Sequence, residues 1–180
     1  TYAPYANTPP IEGWTGLNAF AGGKNLLPNT ATSKTVNGVT FAVNADGTVI
    51  ANGTATANAY FYIDTDASIF NADKEYILNG CPAGGSTSTY RVSFQYYDSA
   101  NALKFMGNDI GGGTKLTPPE TMKNPACFIV VYSGVTLSNV VFKPMIRLAS
   151  DPDATYEPYQ GNTYALDFGE TVYGGTVDWH

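Results

Sequence analysis

Alternation of apolar and polar positions dominates this chain, and its clearest run is Tyr90–Asp98, YRVSFQYYD. Tyr90, Val92, Phe94 and Tyr96 are large and apolar, while Arg91, Ser93, Gln95 and Tyr97 fall between them. Successive strand side chains point to opposite faces, so the pattern predicts a strand with one core face and one polar, aromatic face. Val39–Asn44 alternates in the same way, and Thr48–Asn52 resumes an extended pattern after Ala45-Asp46-Gly47. A short loop with glycine at its end predicts a hairpin, because glycine enters the left-handed region cheaply. Thr54–Asp64 reads as one further strand, with Ala59, Phe61 and Ile63 on one face and Tyr60, Tyr62 and Asp64 on the other.

Lys24–Asn29 reads as a first strand stopped by Pro28, and Glu75–Asn79 and Ala102–Met106 as short strands. CPAGGSTST, the glycine run in Ile110–Lys115 and Thr117–Asn124 read as loops. Ala126–Tyr132, ACFIVVY, is continuously apolar and β-branched, which predicts a strand buried on both faces. Ser133-Gly134 turns, and Asn139–Leu148 reads as a strand with Pro144 at an edge or bulge. No segment carries an amphipathic helix of three turns. The expected fold is all-β: an antiparallel β-sandwich of jelly-roll type over 24–150. An N-terminal arm (1–23) rich in Pro and Gly and a C-terminal linker and arm (151–180) flank it, the latter with Tyr164–Trp179 as a terminal hairpin or arm. Thr1–Tyr5 (TYAPY) is echoed by Thr155–Tyr159 (TYEPY), a domain's length later, which points to one unit of a tandem chain.

Charged residues are 13% of the 180, about half the usual ~25%, so Thr, Asn, Ser, Gly and Tyr supply a neutral hydrogen-bonding surface. The net charge of −6, with nine scattered basic residues, argues against a nucleic-acid partner. No apolar run approaches the ~18 residues of a membrane span, and no membrane partner is expected. TYAPYANTPP shows no signal-peptide pattern, although a chain beginning downstream of one would read the same. Cys81 and Cys127 make no disulfide framework; Cys127 reads as a buried thiol, and a bridge between the two stays open.

Catalysis finds little to work with. The one histidine is His180, the last residue, so no base serves a Ser or Cys nucleophile. No CxxC or HExxH spacing is present. Glu12, Glu75, Glu120, Glu157 and Glu170 fall mostly in arms and turns, where a glycosidase pair would lack a rigid support. Gly111-Gly112-Gly113 has no following helix to bind phosphate. Sugar binding fits better: it needs flat rings against a pyranose, with amides and guanidinium for its hydroxyls. Tyr60, Tyr62, Arg91, Gln95 and Tyr97 supply that set, provided their strands share a sheet; otherwise the tyrosines are ordinary strand formers. Asp64 and Asp66 read as a capped turn or a cation site, and Trp14 and Trp179 as anchors of the arms.

KNLLPNTATSKTVNGVTFAVNADGTVIANGTATANAYF, YILNGCPAGGSTSTYRV and VVYSGVTLSNVVFKPMIRLASDPDATYEPY carry a resemblance. Over roughly 13–176, the chain is similar to a recurrent module of tail-associated proteins of bacteriophages and prophages of gut Firmicutes. The resemblance implies a structural or receptor-binding role, in a virion tail or extracellular setting, with neighbouring tail modules and cell-surface glycan as partners. NLLPN and NVVFKPMIRL also resemble the first and last strands of jelly-roll carbohydrate-binding modules, which implies, as an alternative to a tail or spacer role, an accessory module of a polysaccharide-degrading enzyme. That likeness implies a structural calcium held by an acidic residue soon after the first strand. Here NTATSK follows, with no carboxylate before Asp46, so no cofactor is expected.

Overall fold

The hairpin from the alternating segment 39–54 builds one sheet of the sandwich. β3 (Val39–Val43) and β4 (Val49–Thr54) pair antiparallel from Val43↔Val49 to Val39↔Gly53. Gly47, at φ 82°, closes the loop, and Asp46 Oδ1 accepts from Thr48 N and Thr48 Oγ. This computed structural model describes residues 12–63, 65 and 67–173.

β2 (Lys34–Val36), β3, β4 and β11 (Thr136–Phe142) form a four-stranded sheet in the order β11-β4-β3-β2. A second has the order β5-β10-β7-β8, from β5 (Ala59–Ile63), β7 (Tyr90–Tyr97), β8 (Leu103–Asp109) and β10 (Lys123–Val131). β6 (Tyr76–Asn79), β9 (Thr114–Leu116) and β12 (Met145–Leu148) form a third, in the order β12-β6-β9. The pairings within these three sheets are antiparallel. The architecture is an all-β sandwich. Among the described residues the one helical element is a short 3₁₀ turn, Ala67–Ile69, and no helix is long and apolar enough to cross a membrane.

Period-two burial explains why the sheets stack. Phe41 from one sheet and Phe61 from the other are fully buried, with stacked rings whose centroids lie 4.9 Å apart. Tyr90 and Phe142 meet edge to face at 5.5 Å, again across the two sheets. Val92, Phe94, Ile129, Val131, Leu78, Leu116 and Ile146 complete a continuous core. On β7 the expected core face is fully buried at Val92 and Phe94 and half-buried at Tyr90 and Tyr96. Tyr90 instead sends its hydroxyl to Ala83 O, 2.6 Å away.

Three extended readings change in the structure. Lys24–Asn29 joins no sheet; Asn25 lies buried and its Oδ1 accepts from Leu27 N and Ile146 N, while Leu26 N donates to Ile146 O at 2.7 Å. Side-chain bonds and a proline without an N–H replace a regular ladder there. Thr54–Asp64 is not one strand. The chain leaves β4 at Thr54, turns through 55–58 with Ala55 N donating to Val135 O, and enters the other sheet at Ala59. Asn139–Leu148 likewise divides at Lys143-Pro144, where Lys143 N donates to Gly80 O and the chain passes from β11 to β12.

By internal contacts the chain divides into two units. One runs from Gly22 to Gln160 and holds the three sheets. Residues 151–160 belong to it: Tyr156 Oη donates to Asp46 O, Asn25 Nδ2 to Glu157 O, and Lys24 pairs with Asp153. The other unit comprises 1–21 and 161–180, and its described part is a two-stranded sheet of β1 (Glu12–Gly22) and β13 (Gly161–Tyr173). Within the expected arms, 12–22 and 161–173 therefore pair as strands. Thr1–Tyr5, Asp64, Asp66, Trp179, His180 and the side chain of Trp14 lie outside the described residues.

Candidate functional site

The condition placed on the sugar-binding set is met. β5 and β7 flank β10 in one sheet, with register Tyr60↔Val130↔Arg91 and Tyr62↔Phe128↔Ser93. Ala126↔Gln95↔Phe105 and Tyr97↔Leu103 continue the rows toward β8. Residues directly opposite in a ladder share a face. Tyr60, Tyr62, Arg91, Gln95 and Tyr97 therefore stand on the outer face, while Phe61, Ile129, Val92 and Phe94 stand on the inner one. Two strand spacings, about 10 Å, separate the tyrosine row from the Arg91–Gln95–Tyr97 row.

β10 is the floor of this face. Phe128 is buried although it points outward, because Tyr60 and Tyr62 lean on its ring at centroid distances of 5.9 and 5.4 Å. The two tyrosines keep 41% and 46% of their own surface exposed. They form a short aromatic ledge with phenol tips. Arg91 is steadied at the other side: its Nε donates to Ser93 Oγ at 3.0 Å, Ser93 Oγ donates to Asn108 Oδ1 at 2.8 Å, and the guanidinium lies 5.3 Å from the Tyr132 ring. A guanidinium has five N–H donors, so donors remain for a ligand. Beyond Gln95 and Tyr97, Phe105 (61% exposed) and Leu103 (42%) extend the face with apolar surface. The sequence reading of the face missed these two, because a register shift between Phe94 and Gln95 decides which β8 residues share it.

A second feature escaped the sequence reading. Asp109, buried at the end of β8, accepts from Gly111 N (2.9 Å) and Gly113 N (2.8 Å) through Oδ1, and from Cys81 N (2.8 Å) through Oδ2. The glycine run is thus a turn tied to a carboxylate. An aspartate followed by glycines two and four positions later was the available signal. Among the described residues no group of three or more His, Cys, Asp or Glu comes together to hold a metal.

Cys81 and Cys127 are both free and buried. Burial, and then the Asp109 charge, push the Cys81 thiol up from 9.0 to about 12; burial also pushes Cys127 up. Burial, reinforced by Asp46, pushes Tyr156 to about 12, and burial raises Tyr90. All four groups are held neutral in the folded chain, while their unfolded values lie lower. The unfolded chain therefore gives up protons first, and their contribution is intact below about pH 9 and is lost as pH rises toward about 12. The urea midpoint is expected to fall steadily between about pH 9 and about pH 11, and Cys81→Ala with Tyr156→Phe is expected to flatten that slope. A midpoint independent of pH over this range would refute the account.

No family model matches the chain, and no curated protein does. Among solved structures, it is similar to a chain from the crystal structure of accessory secretory protein 1, 2 and 3 in Streptococcus pneumoniae. The identity is 9%, the match covers 69% of this chain and 95% of that one, and the TM-score is 0.47. A likeness at that level carries no argument about function.

Proposed function

We propose that the sandwich is a non-catalytic glycan-binding module of a phage tail or similar extracellular assembly, and that the outer face of the β5-β10-β7-β8 sheet binds the glycan. The observation that carries this reading is the shared face of Tyr60, Tyr62, Arg91, Gln95 and Tyr97. The Tyr60–Tyr62 ledge supplies flat apolar cover for a sugar ring, and Arg91, Gln95 and the phenols supply hydrogen bonds for its hydroxyls. A shallow face gives weak binding, and repeated modules or subunits raise it through effective concentration.

A glycan array with bacterial and plant polysaccharides tests the proposal. Tyr62→Ala and Arg91→Met are each expected to weaken retention about tenfold or more, equivalent to ~1.4 kcal/mol. Both side chains are at least partly exposed, so folding is expected to change by about 1 kcal/mol or less. Absence of binding to any polysaccharide, or binding indifferent to both changes, would end the reading. Phe105 and Leu103 favour a second one, a structural tail or spacer module making protein contacts, since aliphatic and phenyl surface without polar tips suits a protein partner. Light scattering separates the two: self-association abolished by Phe105→Glu supports the structural role.

A further inference from the structure

Charge is divided unevenly between the two sides of the β5-β10-β7-β8 sheet. Lys123 stands opposite Tyr97, so it shares the outer face with Arg91. Among the described residues of the four strands, these two are the charged ones on that face, and both are cations. Lys104 and Asp109 oppose Tyr96 and Val92, which belong to the other side. Asp64, which alternation would add beyond Tyr62, lies outside the described residues. The whole chain has a net charge of −6, so a face with cations and no described carboxylate runs against the charge of the molecule.

Arg91 is held as an anion receptor. Its Nε is tied to Ser93 Oγ, Ser93 Oγ to Asn108 Oδ1, and the Tyr132 ring backs the guanidinium. It joins no ion pair among the described residues. Its two Nη groups have no hydrogen-bond partner there either. The buried side-chain atoms in that condition are Asn79 Oδ1 and Arg147 Nε, so the Arg91 Nη groups are open to solvent. A guanidinium fixed at Nε presents them as two parallel donors, the fork that two oxygens of a carboxylate, phosphate or sulfate fill together. Arg91 is also half-buried. A cation partly withdrawn from water and left without a counter-ion gains more from an incoming anion than a fully hydrated lysine does.

Spacing suits a polymer. Arg91 and Tyr97 lie at the two ends of one row on β7, about 20 Å apart at ~3.4 Å per residue. With Lys123 across from Tyr97, the two cations bracket Gln95 and the aromatic surface between them. A neutral glycan would use the tyrosine ledge and Gln95 and leave both cations without a counter-ion. A glycan with acid groups on some of its units uses all of them.

We infer that the glycan bound on this face is an acidic one, with a carboxylate or phosphate seated on the Arg91 Nη fork and Lys123 meeting an acid group further along the polymer; this rests on the glycan-binding reading of the face. The test measures the Kd of the full chain by affinity electrophoresis. Polygalacturonate and alginate supply carboxylates, glycerol-phosphate teichoic acid supplies phosphate, and methyl-esterified polygalacturonate, dextran and mannan are neutral. At least one acidic polymer is expected to bind about tenfold or more tighter than every neutral one. That advantage is expected to fade as salt rises from ~0.01 M to ~1 M, where the Debye length shrinks to ~3 Å. Which acidic polymer binds separates carboxylate from phosphate. Arg91→Met is expected to raise the Kd for it about tenfold or more, and Lys123→Met about threefold. Lys115→Met, which removes the same charge from the third sheet, is expected to leave it unchanged. Should Arg91→Met not fold, Lys123→Met decides alone. Neutral polymers bound as tightly as acidic ones, with retention still lost in Tyr62→Ala, would overturn the inference and leave glycan binding standing. Acidic binding indifferent to Arg91→Met and Lys123→Met, or weakened equally by Lys115→Met, would reduce it to diffuse attraction and overturn it too. Retention of no polysaccharide at all would remove both readings.

Discussion

Phe61→Ala is expected to destabilise the sandwich by about 3–5 kcal/mol, the range for emptying a phenyl site in a packed core. Phe61 is fully buried, and its ring stacks on Phe41 at 4.9 Å, so the pair is a direct contact between the two four-stranded sheets. Truncation removes the transfer free energy of the ring and leaves a hole that two rigid sheets cannot close. Phe61→Leu refills much of that volume and is expected to cost less than half as much. Urea denaturation of the three proteins measures both differences. A loss below about 1 kcal/mol for alanine would mean that the sheets are not held at this point.

The second large effect is expected at Asp109. Asp109→Ala leaves the N–H groups of Gly111, Gly113 and Cys81 without their acceptor. Hydrogen bonds to an ionised acceptor contribute about 1.5–3 kcal/mol each, and losses within one cluster do not add fully, so about 2–4 kcal/mol is expected. Asp109→Asn retains a carbonyl for part of the set and is expected to lie between wild type and alanine. Amide hydrogen exchange locates the damage: Gly111 and Gly113 are expected to lose protection first. An alanine variant within about 0.5 kcal/mol of wild type would show that water replaces the carboxylate without penalty.

Alternation makes much of this fold legible in the sequence. The β3–β4 hairpin, the two faces of β5 and β7, and the twice-buried β10 all follow from period two and β-branched content. Breaks between strands are harder to see. At 55–58 and at Lys143-Pro144 the extended pattern continues in sequence while the chain changes sheet, because small residues and single prolines suit both a strand and a corner. Adjacency is also hidden. Nothing local says that β10 enters between β5 and β7, yet that insertion puts Tyr60 and Arg91 on one face.

The place of β10 also bears on how the chain reaches its fold. Both of its neighbours, β5 and β7, precede it in sequence. During synthesis, residues 59–63 and 90–97 wait without their shared partner until 123–131 has left the ribosome. The late arrival is itself CFIVV, an uncharged β-branched window of the sort that pairs with copies of itself. Pro125, at the irregular start of β10, and Lys123 two residues before it stand where gatekeepers against such pairing belong. In a tandem chain every repeat would offer the same missing strand, so neighbouring modules risk exchanging β10 before each has closed its own sheet.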